Sequence, residues 1–190
     1  RPLFDPATYG RVRFHHRSIQ EYLAAERLAD LRQKGLPVRT LMRALFSDRY
    51  GEHVVIPSMR PIAGWLSLRD ADVRREALVR EPEVLVVEGD PQSLDHHARC
   101  ELLRHYIERY GAGGWRRLEM PISQIRRLAQ PDLADDVAAT WAAPHENEEV
   151  REFLLKLIWL GPLLKCAEIA FEAARSRDFS PYARIIGIRA

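Results

Sequence analysis

The chain has 190 residues, enough for one large domain or two small ones, and 46% hydrophobic against 29% charged side chains is an ordinary globular balance. A formal net charge of +2 gives no general pull towards nucleic acid or a membrane surface. No apolar run approaches the roughly 18 residues that cross a bilayer, so no membrane partner is expected.

Arg1 opens the chain without a methionine, and Ala190 closes it inside an amphipathic pattern, so an excised piece of a longer protein is expected. Tyr9 to His15 alternate polar and apolar side chains, which predicts one β-strand or half of a hairpin. Ser18 and Glu21 then form Ser-x-x-Glu, the pattern of a reciprocal capping box. A helix follows to about Lys34, with Tyr22, Ala25, Leu28, Ala29 and Leu31 on one face. Ile19 and Leu23 lie on the other side, so the first turns are expected to be buried all round. Gly35 and Pro37 stop it.

Beyond this point the chain reads as short helices punctuated by Gly, Pro and Asp. They fall at 37–46, 59–68, 72–80 and 82–87, with Val54 to Ile56 open between strand and buried loop. Asp90-Pro91 supplies an N-cap and first residue for a helix to Tyr110, and Gly111 to Gly114 break it. Helices at 122–129 and 131–142 follow. Val150, Phe153, Leu154, Leu157 and Ile158 recur at helical spacing, and Leu163, Ala167, Ala170, Phe171 and Ala174 repeat the pattern after Gly161-Pro162. That pair predicts an αα-hairpin. The whole reads as mainly α, a HEAT-like helical array of αα-hairpins with a short β segment near the N-terminus.

Catalytic motifs are missing. A Walker A loop needs a lysine after glycine, and neither Lys34, Lys156 nor Lys165 has one. Gly-x-Ser-x-Gly and His-Glu-x-x-His are also absent. No catalytic residue is therefore assigned. His96 and Cys100, four apart on one helix face, are half of a zinc set. Solvated histidines and a small core cysteine are the stronger explanation, so no metal is assigned. Asp132, Asp135 and Asp136 suit the first turn of a helix. Arg74-Arg75, Arg116-Arg117 and Arg126-Arg127 offer the alternative reading, a nucleic-acid-binding helical repeat, against which the low net charge argues. Cys100 and Cys166 lie outside any CxxC, which fits a reduced, cytoplasmic protein. Of 29 basic residues only three are lysines, the arginine skew of a GC-rich, bacterial genome.

One stretch is specific. Phe14-His15-His16-Arg17-Ser18-Ile19-Gln20-Glu21-Tyr22-Leu23-Ala24-Ala25 resembles the Phe-x-His-x-Ser-x-Gln-Glu-aromatic-apolar-Ala-Ala motif of NACHT proteins, signal-transduction ATPases with numerous domains (STAND). The resemblance implies that residues 1–56 hold the end of a winged-helix region plus the first helices, and that 57–190 form a HEAT-like repeat region. It also implies that His16 contacts the β-phosphate of ADP and holds a closed state in the full-length protein, which would use ATP/ADP and Mg. The fragment itself would carry no cofactor. Its expected partners are its own NACHT ATPase core and an unknown protein or ligand trigger, in a cytoplasmic regulatory role such as antiphage defence.

Overall fold

A computed structural model of the chain describes residues 4–49, 51–113 and 120–190, the side chain of Arg49 excepted. Trp115 and Arg116-Arg117 lie outside the described residues. The fold is mainly α, with a short β segment near the N-terminus. Among the described residues no helix is long and apolar enough to cross a membrane.

The strand of the N-terminal segment is half of a hairpin. β1 (Phe4–Pro6) pairs antiparallel with β2 (Val12–Phe14), with Phe4 opposite Phe14 and their rings 4.9 Å apart. α1 (Arg17–Gln33) follows. It ends in a Schellman motif, in which Leu36 N donates to Leu31 O (2.9 Å) and Gly35 N donates to Arg32 O (3.0 Å). Gly35 takes φ +99°, a left-handed conformation that costs glycine little.

α2 (Val38–Leu45) buries Leu41 and Leu45 and runs directly into β3 (Phe46–Arg49). β3 pairs antiparallel with β4 (Glu52–Val55), so Val54 and Val55 of the ambiguous apolar run are strand, Ile56 lies just past it, and Phe46 leaves the helix to join the pair. Then come α3 (Arg60–Leu66), α4 (Ala71–Arg80) and α5 (Val84–Val87). Asp70 caps α4 by accepting from Asp72 N and Val73 N. The expected helix start at Asp90 is corrected. Asp90 caps a 3-10 turn (Pro91–Ser93), and α6 (His96–Tyr110) starts later, capped by Asp95, which accepts from Ala98 N at 2.8 Å. Both aspartates carry a capping signal, and Leu94 at φ −70°, ψ 137° separates the two elements.

α7 (Ile122–Leu128), α8 (Ala134–Ala142), α9 (Glu148–Leu160), α10 (Ala167–Arg175) and α11 (Pro181–Arg189) complete the chain. Eight of the thirteen residues of α9 are buried, from Glu149 to Ile158. The hairpin expected of α9 and α10 is re-paired. α10 lies chiefly on α11, and α9 packs most extensively on α11 and α7. Phe171 is therefore exposed, and Ala170 and Ala173 form the buried stripe. Gly187 makes the close crossing possible, since a Cβ there would lie 2.8 Å from Ala170 O.

Each helix finds its main partners among elements near it in the chain: α1 on α3, α3 on α4 and α5, α4 on α6. One hydrophobic core runs from Ala25 to Ile186. A part-buried ionic knot fastens its N-terminal half. Arg60 lies 2.6 Å from Glu81 Oε2 and 3.3 Å from Glu83 Oε1, Glu81 accepts from Val55 N (2.9 Å), and the Tyr110 hydroxyl donates to Glu83 (2.6 Å). Burial pushes the Glu81 carboxyl above its ordinary value against the pull of Arg60.

Candidate functional site

The strand-to-helix junction has the expected order but not the expected cap. His16 is the N-cap residue of α1, at φ −118° and ψ 129°, and no N-cap side chain bonds the first turn. Ser18 is exposed, one residue inside the helix. Glu21 accepts from Arg17 Nε at 2.7 Å in an i,i+4 pair instead of reaching back to the backbone. Because the helix begins two residues earlier than the pattern predicts, with His16 rather than Ser18 as its N-cap, the reciprocal Ser18–Glu21 bonds do not form.

The two histidines differ. His15 Nδ1 sits 3.0 and 3.2 Å from the two oxygens of Asp5, which ties it to β1. The His16 ring is exposed and meets the His15 ring edge-on at 4.5 Å. Among the described residues no hydrogen bond or ion pair reaches the His16 side chain. The first amides of α1 and the positive end of its dipole lie beside it. The first turns of α1 are also not buried all round. Leu23 is 44% exposed and Tyr22 is half-exposed with its ring edge-on to Trp65 at 5.2 Å, while Ala25 alone is fully buried.

A second cluster forms between α6 and α8. His96 and Cys100 stand one turn apart on α6, and Asp136 from the first turn of α8 joins them. Cys100 Sγ is 3.2 Å from His96 Nε2, which is 3.3 Å from Asp136 Oδ2, and the three ligand atoms all lie within 4.8 Å of one another. Burial, then Asp136, pushes the Cys100 thiol up to about 11. Arg99 sets this register. Its buried guanidinium donates to Leu94 O and pairs with Asp132, stapling the start of α6 to the turn that leads into α8. Cys100 and Asp136 also line a cleft of about 630 Å³ with Thr140 and His145.

The arginine pairs are largely engaged. Arg75 pairs with Asp72 (3.1 Å), Arg74 donates to Ser67 O (3.3 Å), and Arg127 pairs with Asp90 (2.6 Å). Arg126 is exposed. Of the tryptophans, Trp141 is buried, and Trp65 and Trp159 are partly buried against the core.

Compared with known proteins, the chain matches no family model, no curated protein and no solved structure. Its functional reading therefore rests on its own residues.

Proposed function

We propose that this chain is a non-catalytic regulatory segment of a NACHT-type signalling ATPase, in which His16 reads the nucleotide state of the ATPase core and the helical array meets that core and a trigger. The observation that supports it best is the junction at 12–17. There an extended strand hands over to a helix whose N-cap imidazole is exposed and committed to no other side chain among the described residues. A diphosphate oxygen brought to this corner would meet an imidazole donor and the unpaired amides of a helix N-terminus. Tyr22 and Leu23, on the same helix, offer apolar surface to whatever carries the nucleotide.

The array supplies the second half of the role. Stacked helices present a long surface for a protein or peptide, and a trigger that binds one arrangement better than another shifts the population towards it. The engaged arginines favour this reading over the nucleic-acid alternative, because Arg75 and Arg127 would have to leave carboxylate partners to reach phosphates.

The test uses the protein in which this chain follows its ATPase core. Its coding sequence is expected to hold a Walker A motif upstream of His16, and a gene without one removes the reading. In that protein, His16→Ala is expected to weaken ADP binding by roughly tenfold to a hundredfold, the worth of one hydrogen bond to a charged group, measured by calorimetry. An unchanged ADP affinity overturns the nucleotide-reading role.

A further inference from the structure

The sequence places a histidine and a cysteine one helical turn apart, which alone is half a ligand set. The fold adds a carboxylate from a residue 36 positions downstream of Cys100, and the three donor atoms converge. His96 Nε2 offers either one proton or one lone pair, yet it faces both sulfur (3.2 Å) and oxygen (3.3 Å). Without a cation the Asp136 carboxylate is the shared acceptor, facing the His96 ring nitrogen and bonded by the Cys100 thiol, so all three groups point at one spot. A cation at the centre uses a lone pair of all three atoms together.

We propose that His96 Nε2, Cys100 Sγ and Asp136 Oδ2 bind one zinc-class divalent cation between α6 and α8. Bond lengths of about 2.3 Å to sulfur and 2.0–2.2 Å to nitrogen and oxygen give tetrahedral donor–donor edges of roughly 3.3–3.6 Å. The nitrogen–oxygen edge, 3.3 Å, fits these values, and the sulfur–nitrogen edge, 3.2 Å, opens by about 0.3 Å on binding. The third closes by rotation of the Asp136 side chain, which is 39% exposed. One soft sulfur, one imidazole and one carboxylate select zinc or cobalt over magnesium or calcium, which prefer oxygen alone. Binding forms a metal–thiolate bond and releases the thiol proton to solvent. The thiolate and carboxylate then balance the charge of the cation.

Three protein ligands leave a fourth position open, as in zinc sites that work on a bound water or ligand and unlike closed structural sites. Cys100 and Asp136 line the cleft that also holds Thr140 and His145, so small molecules reach this position from solvent. Arg99 holds the frame from below, as a support that keeps two helices in ligand register.

The test is a cobalt(II) titration of the protein prepared without a polyhistidine tag. One equivalent is expected to produce thiolate-to-cobalt charge-transfer absorption and the visible bands of tetrahedral cobalt, both removed by zinc. Cys100→Ser is expected to abolish the charge-transfer band. Asp136→Asn, a change on an exposed side chain that leaves the helical circular dichroism intact, is expected to weaken binding by more than the roughly 10–100-fold that outer-shell substitutions cost. Cys166→Ala, at the buried thiol, is expected to change neither spectrum nor affinity. Failure of the wild type to bind cobalt at stoichiometric concentration overturns the proposal, as does a charge-transfer band that survives Cys100→Ser or an affinity that Asp136→Asn leaves unchanged.

Discussion

α9 and α1 are both helices of more than three turns with an apolar stripe, and they spend it differently. In α9, Val150, Leu154, Leu155 and Leu157 are removed from solvent entirely, and even Glu149 and Glu152 are buried. In α1 only Ala25 is, while Leu28 and Ala29 rest partly on the core and Leu23 faces outward. Periodicity alone does not say how much of a stripe is covered; the number of elements packed on it does. α9 is flanked by α7, α8, α10 and α11, and α1 leans chiefly on α3. One helix is scaffold, and the other is a surface held in place.

Mutations measure the contrast. Leu154→Ala in α9 is expected to lower unfolding free energy by about 2–5 kcal/mol, read from a urea or guanidinium midpoint, because the cavity has little room to collapse. A loss near zero would mean that α9 is not the central helix. Gly187→Ala tests the crossing next to it. A Cβ 2.8 Å from Ala170 O forces α10 and α11 apart, with an expected loss of about 1–3 kcal/mol.

Arg60→Ala probes the ionic knot on the α1 side of the molecule. It leaves Glu81 and Glu83 without their cation, and because the Arg60 side chain is 31% exposed the expected cost is about 1–2 kcal/mol, below that of a fully buried pair. The caps sharpen the comparison at the finest scale. Asn147→Ala removes the acceptor for Glu149 N and is expected to cost about 1 kcal/mol. Ser18→Ala and Leu23→Ala in α1 are each expected to stay within about 0.5 kcal/mol in this chain. A loss of a full cap's worth from Ser18→Ala would show that the capping box forms in solution after all.

Much of this architecture is legible in the sequence where the signal is local. Gly35 with Pro37, and Gly161 with Pro162, mark helix ends that the fold respects. The β3–β4 hairpin is harder to read, because Phe46 to Arg49 carry no run of β-formers and become a strand by pairing with Glu52 to Val55. The Ser18–Glu21 pattern misleads for another reason. Arg17 offers Glu21 a charged partner one turn away, and the helix advances to take it. The junction around His16 is local and visible, and two of the three proposed metal ligands follow from i,i+4 spacing. Asp136 reads as a dipole-favouring acid in its own helix, and only tertiary packing carries it to Cys100. The Arg60–Glu81–Glu83–Tyr110 knot joins α3, the approach to α5 and the end of α6, and no sequence spacing announces it.

The near-neighbour pattern of packing bears on how the chain reaches this state. Since the largest partnerships join elements only a few positions apart, the core can close through a succession of short loops, each of small entropic cost. Topologies of that kind belong at the rapid end of the range for folding rates. A nascent chain emerging from the ribosome could thus set α1 against α3, and α4 against α6, before α9 has been synthesised.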